Sequence, residues 1–233
     1  MDRKYIVAIL AAALIGFFGV LLLMPPSLDD GTERLPWRTA ADADGRTRVF
    51  GFTLGATPLA EVRRVLRNDG TLNLFRTPDR PEPLAAEVFF EQIYLHSLRA
   101  DFVFTLDLDQ ETLGAMYERG LRISQAESGA KKIKLDPADA EILADRPIRS
   151  IAYLPQARLD ETLLARRFGE PQERRTEPDT GVVHWLYPDR GMDLARDPKG
   201  KIVIQYVNRA DFGKLLEPLQ ASAATASRYI RSR

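Results

Sequence analysis

The sequence predicts an α+β protein in which an N-terminal transmembrane helix leads into two related units, each a helix packed on an antiparallel β-meander. Three observations carry that prediction. Residues 5–24 form an unbroken, uncharged apolar run. Phe102, Phe104, Leu106 and Leu108 alternate with Val103, Thr105, Asp107 and Asp109, the period of two that belongs to a half-buried strand. Twice, at Pro58–Leu66 and Asp160–Phe168, an apolar stripe at helical spacing precedes a run of such strands.

The run from Tyr5 through Phe17 and Phe18 to Met24 is the expected membrane anchor. At about 1.5 Å per residue it spans about 30 Å, the thickness of a bilayer's hydrocarbon core. Arg3 and Lys4 precede it and Asp29 and Asp30 follow it, so the N-terminus is expected inside. A cleaved signal peptide would have a shorter apolar region and a small-x-small exit, whereas this run ends in Met24-Pro25-Pro26-Ser27. The expected location is the inner (cytoplasmic) membrane, single-pass, with the C-terminal domain in the periplasm or outside. The chain then divides into a cytoplasmic stub (1–4), the transmembrane anchor (5–24), a linker and first hairpin arm (25–46), a first α/β unit (47–135), a second α/β unit (136–219) and a disordered tail (220–233).

Composition narrows the function classes. Lys+Arg and Asp+Glu are both 33 in 233 residues. That balance argues against a nucleic-acid partner, which calls for a basic excess or stripe. Without a cysteine there is no disulfide, no thiol nucleophile and no acylated lipoprotein terminus. Hydrophobic residues at 45% suffice for a proper core.

Along the chain, Asp44-Gly45 signals a hairpin and Arg48–Leu54 a strand. Thr57 and Pro58 suit the start of a helix that Asn68-Asp69-Gly70 ends. Strands are expected near Glu87–Leu95 and Arg99–Leu108, followed by a short helix capped by Asp109 and stopped by Gly120. Leu121–Ala126 and Lys131–Leu135 read as a shorter strand pair, and Asp136-Pro137 opens another helix. In the second unit, strand Ile148–Leu154 leads to the helix capped by Asp160 and ended by Gly169 and Pro171. Val182–Tyr187, Met192–Arg196 and Ile202–Val207 form a meander joined by Pro188-Asp189-Arg190-Gly191 and Asp197-Pro198-Lys199-Gly200. Asp211–Leu219 closes with one helical turn.

Asp160-Glu161 leading into Arg167-Phe168-Gly169-Glu170-Pro171, with Val183-His184-Trp185-Leu186-Tyr187-Pro188 and Gly200-Lys201-Ile202-Val203 after it, resembles the helix-to-strand segment of BamE/SmpA-like envelope domains. Tandem versions of that unit build the β-lactamase inhibitor protein fold. The resemblance implies a non-catalytic module that binds another protein, with no cofactor.

Candidate chemistry is sparse. Asp107, Asp109, Glu111 and Glu118 fall at positions 1, 3, 5 and 12 of a calcium-loop template, with Thr112 where the template needs glycine. The same four also read as the wet edge of a strand and acids at a helix N-terminus. His96 and His184 are the only histidines. Trp185, Tyr187 and Arg190 form the candidate binding residues, an aromatic–arginine set suited to a protein interface. Trp185 and Tyr187 fit equally as core under the second helix. The expected function is thus an anchored extracytoplasmic interaction or scaffold module, not an enzyme, bound to the membrane through its helix and to another envelope protein. Its rivals are a ligand- or lipid-binding sensor with an apolar pocket between the units, and a hydrolase.

Overall fold

One antiparallel sheet of ten strands organises the fold. The computed structural model describes residues 34–77, 82–95, 98–126 and 130–217. An N-terminal arm folds into a small three-stranded sheet, β1 (Thr39–Ala41), β2 (Thr47–Val49) and β3 (Phe52–Thr53). Helix α1 (Leu59–Leu66) leads to β4 (Thr71–Arg76), β5 (Leu84–Leu95) and β6 (Leu98–Leu106). Helix α2 (Gln110–Glu118), the pair β7 (Arg122–Gln125) and β8 (Lys131–Lys134), and helix α3 (Pro137–Ile142) complete the first half. The second half runs β9 (Ile148–Pro155), helix α4 (Glu161–Phe168), β10 (Glu173–Thr176), β11 (Val183–Tyr187), β12 (Met192–Arg196) and β13 (Ile202–Tyr206). Helical residues 212–217, here α5, are the last described.

The order across the sheet is β10-β11-β12-β13-β9-β6-β5-β4-β8-β7. This corrects the expected pair of separately covered meanders. Each half does place a helix before a meander, of three strands (β4–β6) in the first and four (β10–β13) in the second. The halves then fuse where β6 pairs with β9, from Ala100 opposite Pro155 to Phe104 opposite Ile151 and on to Leu106 opposite Ile148. One face of the fused sheet is the core face, carrying Phe90, Phe102, Phe104, Tyr153, Leu194, Ile204 and Tyr206, all buried. The three-stranded sheet presses onto it. Phe50 meets Phe102, Tyr153 and Tyr206 at ring distances of 5.2, 5.3 and 5.4 Å, and Phe52 meets Phe104 at 5.7 Å. All but the tilted Phe50–Tyr153 pair are edge-on, and such pairs add to the burial of the rings themselves.

The expected transmembrane architecture does not stand either. Among the described residues no helix is long and apolar enough to cross a membrane. The longest helices have 8 and 9 residues. At about 1.5 Å per residue they reach less than half the bilayer core, and each keeps a polar face. The inner-membrane location inferred from such a span falls with it. Residues 5–24, including Tyr5, Phe17, Phe18 and Met24, lie outside the described residues, as do His96 and the tail from 218 onward.

Local chemistry explains most element ends. Asp109, Asp136 and Asp160 each cap a helix, accepting from the backbone N–H of Thr112 (2.6 Å), Ala138 (2.9 Å) and Leu163 (2.7 Å). Thr57 does not cap α1. Its hydroxyl instead accepts from Thr53 N at 2.9 Å, and Pro58 holds the cap position without a side-chain bond. The expected strand 48–54 is broken by a turn at Phe50-Gly51, both with positive φ (57° and 83°). That turn folds β3 back on β2 and drives Phe50 into the core.

Candidate functional site

Trp185, Tyr187 and Arg190 are brought together, the two rings inside the fold and Arg190 half-buried beside them. Trp185 and Tyr187 are 1% and 4% exposed. Helix α4 ends at Phe168 and Gly169, whose carbonyls have no partner within the helix. Arg190 Nη1 donates to the Phe168 carbonyl at 2.7 Å, and the Tyr187 hydroxyl donates to that of Gly169 at 2.8 Å. A guanidinium at a helix C-terminus also meets the negative end of the helix dipole. The rest of Arg190 reaches the N-terminal arm: Nη2 donates to the Trp37 carbonyl at 2.7 Å and Nε to Thr39 Oγ1 at 3.0 Å. The guanidinium also lies 5.3 Å from the Tyr187 ring centre. Burial pushes the Tyr187 hydroxyl up to about 12 and draws Arg190 below its ordinary value. These residues form a clamp that joins arm, helix and meander.

The acidic residues of the calcium template are not gathered. Asp109 is occupied by the Thr112 N–H and hydroxyl, and these two bonds hold its carboxyl below the ordinary range. Asp107, Glu111 and Glu118 are exposed. Among the described residues no group of three or more His, Asp or Glu side chains could hold a metal ion.

His184 is 8% exposed and sits on β11 facing away from Trp185. Its Nδ1 is 2.8 Å from Asp193 Oδ2 and its Nε2 is 3.3 Å from Glu177 Oε1, so the ring, when protonated, donates to a carboxylate at each end. Burial alone lowers the imidazole pKa, but the bonds and charges of Asp193, then Glu177, leave it raised. Arg175, opposite His184 on β10, is turned to Glu173 at 2.6 Å. A raised folded-state value means that the contribution to stability is complete below the unfolded pKa of about 6.5 and is lost as pH rises through the folded value. The melting temperature is therefore expected to fall as pH is raised above about 6.5. His184→Gln should flatten that slope, and an unchanged slope in the variant would assign it to another group.

The sheet ends differently at its two edges. On β10, Glu173 pairs with Arg175, and Arg174 bridges Glu161 (2.8 Å) and Glu170 (3.1 Å) while stacking 4.2 Å from Trp185. Charges held in this way guard an edge strand. On β7 every residue is exposed, and Leu121 and Ile123 are 56% and 54% exposed. The Ala126 N–H donates to the Ala130 carbonyl at 2.8 Å. The antiparallel period of two then gives Ser124 and Arg122 the ladder bonds to Lys132 and Lys134, and turns the N–H and C=O of Ile123 and Gln125 outward.

The two faces of this open edge are chemically distinct. Ile123 shares the core face with Ile133, its partner on β8, and Leu74 on β4. Arg122 shares the opposite face with Lys132 and Lys134. None of these three cations has an acidic partner among the described residues. Leu121–Ala126 and Lys131–Leu135 are legible as strands, but the apolar lip and basic face depend on which neighbours the sheet gives them. The visible signal is the cluster Lys131, Lys132 and Lys134 beside Arg122 in a chain of zero net charge. Comparison with protein families, curated proteins and solved structures found no match to this chain.

Proposed function

We propose that the chain is a non-catalytic protein-interaction module that takes an extended segment of another protein as an added strand along β7. The observation that carries this reading is an outward-facing backbone flanked by an apolar lip on one side and, on the other, three cations with no acidic partner among the described residues. Strand addition draws affinity from main-chain hydrogen bonds and specificity from alternate side chains. The complementary segment therefore alternates apolar and acidic residues, the apolar ones continuing the face of Ile123 and the acidic ones lying along Arg122, Lys132 and Lys134. The helix-then-meander order of each half supports the resemblance to BamE/SmpA-like domains, which also implies a protein partner.

The test is a binding titration with an eight-residue peptide alternating valine and glutamate, against a valine–lysine counterpart. The acidic peptide is expected to bind, more weakly as salt is raised, and the basic one is not. Ile123→Pro removes an outward N–H without touching the ladder to β8, as edge prolines do. It is expected to weaken binding at least about tenfold, about 1.4 kcal/mol, with the melting temperature unchanged. Equal binding by the variant, or by both peptides, would rule out strand addition at β7.

A further inference from the structure

Far from β7 in the strand order, a cavity of about 280 Å³ opens between the arm, helix α4 and the adjoining ends of β6 and β9. Trp37, Leu98, Leu159, Leu163 and Phe168 make its wall largely apolar. Its shape is held from behind. The Arg190 bond to the Trp37 carbonyl and the 2.6 Å bond from the Tyr206 hydroxyl to the Pro36 carbonyl fix the arm. Trp37 then stands edge-on to Phe168, with ring centres 6.0 Å apart and planes at 89°.

Three polar side chains, Tyr153, Arg99 and Arg167, border this apolar space. Tyr153 lines it, is 3% exposed, and its hydroxyl has no hydrogen-bond partner among the described residues. Burial pushes its pKa up to about 12, so it stays a donor at neutral pH. Arg99 and Arg167 also line the cavity. Arg167 stacks 4.9 Å from the Trp37 ring centre and Arg99 6.0 Å from that of Tyr94, and neither has an acidic partner among the described residues. The nearby acids are engaged elsewhere: Asp101 accepts from Gln156 Nε2 (2.7 Å) and Gln92 N (2.8 Å), and Asp160 caps α4.

We propose that this cavity is a binding site for a small amphipathic anion, a medium-chain carboxylate whose chain lies against Leu163 and Phe168 while its head meets Arg99, Arg167 and the Tyr153 hydroxyl. At about 30 Å³ per water-sized group, the space takes roughly nine heavy atoms, enough for the carbon chain of an eight-carbon acid whose carboxylate oxygens sit at the open mouth beside the arginines. Apolar walls with a few placed polar groups are the usual form of such a site, and planar guanidinium suits a carboxylate. The site is independent of strand addition at β7.

The experiment uses the full chain and octanoate below its micellar range, followed by tryptophan fluorescence. Trp37 borders the cavity and Trp185, the second of two tryptophans, is buried under Arg174. A saturable change with one site per chain is expected, absent in Leu163→Phe, which fills the cavity. The surface double variant Arg99→Gln/Arg167→Gln should bind about tenfold more weakly, and octanol should bind at least tenfold more weakly than octanoate. No saturable change, or the same change in Leu163→Phe, would overturn the site. Equal binding of octanol and octanoate, or an unaffected double variant, would overturn the anionic head.

Discussion

Gly191→Ala is expected to destabilise the protein by about 3–5 kcal/mol, the range of severe single substitutions. Gly191 has φ +58°, in the left-handed region, which costs a residue with a Cβ about 1–2 kcal/mol. The larger cost is spatial. A Cβ placed there would lie far inside van der Waals contact with the Val207 carbonyl oxygen and 3.0 Å from Thr47 Oγ1. The oxygen belongs to backbone and cannot rotate away. The Val207 N–H donates to the Gly191 carbonyl at 2.9 Å, so moving either strand end also breaks that bond. Thr47 opens β2, and its N–H donates to Asn208 Oδ1 at 2.9 Å, so the disturbance reaches the arm. Equilibrium urea unfolding measures the loss. A value under about 1 kcal/mol would mean that the turn and the β13 end are not in contact as described.

Arg190→Ala is expected to cost about 3–4 kcal/mol. It removes three hydrogen bonds from one cation, each typically worth about 1.5–3 kcal/mol, and water replaces part of what is lost at this half-buried position. The Phe168 carbonyl at the end of α4 and the Trp37 carbonyl of the arm lose their donors together. Arg190→Lys should recover less than half, because one ammonium cannot span the fork from Trp37 to Phe168. The same unfolding measurement reads both variants, and an Arg190→Lys protein as stable as the parent would contradict a clamp. Arg190→Ala should also free Trp37, shifting its emission, while leaving β7 untouched at the far edge of the sheet.

The legible parts of this fold are those decided within a few residues. Asp109, Asp136 and Asp160 cap helices because a carboxylate beside three free N–H groups acts locally. The alternation of β6 likewise marks Phe102, Phe104 and Leu106 for burial whatever pairs with them. The fusion of the halves across β6 and β9 is not local, and each strand alone fits an isolated meander equally well. β10 escapes pattern reading because Glu173-Arg174-Arg175-Thr176 has no apolar alternation and becomes a strand by pairing at the sheet edge with β11. Phe50 resists prediction because a turn residue with positive φ is seldom aromatic.

Site residues divide the same way. Trp185, Tyr187 and Arg190 stand out in the sequence as an aromatic–arginine set, yet their partners, the carbonyls of Trp37, Phe168 and Gly169, are backbone groups that no side-chain pattern reveals. Tyr153, Arg99 and Arg167 lie on three separate elements and converge only through the sheet. The exposed lip at Leu121 and Ile123 arises because the sheet has no further strand beyond β7 among the described residues.

Backbone hydrogen exchange at Ile123 and Gln125 tests strand addition most directly. In the free protein both amides point away from β8 and should exchange quickly, while Ser124 between them is protected by its ladder bond. Saturation with the alternating valine–glutamate peptide should slow Ile123 and Gln125 and leave β10 at the opposite edge unchanged. Binding that leaves these two amides as fast as before would contradict an added strand at β7.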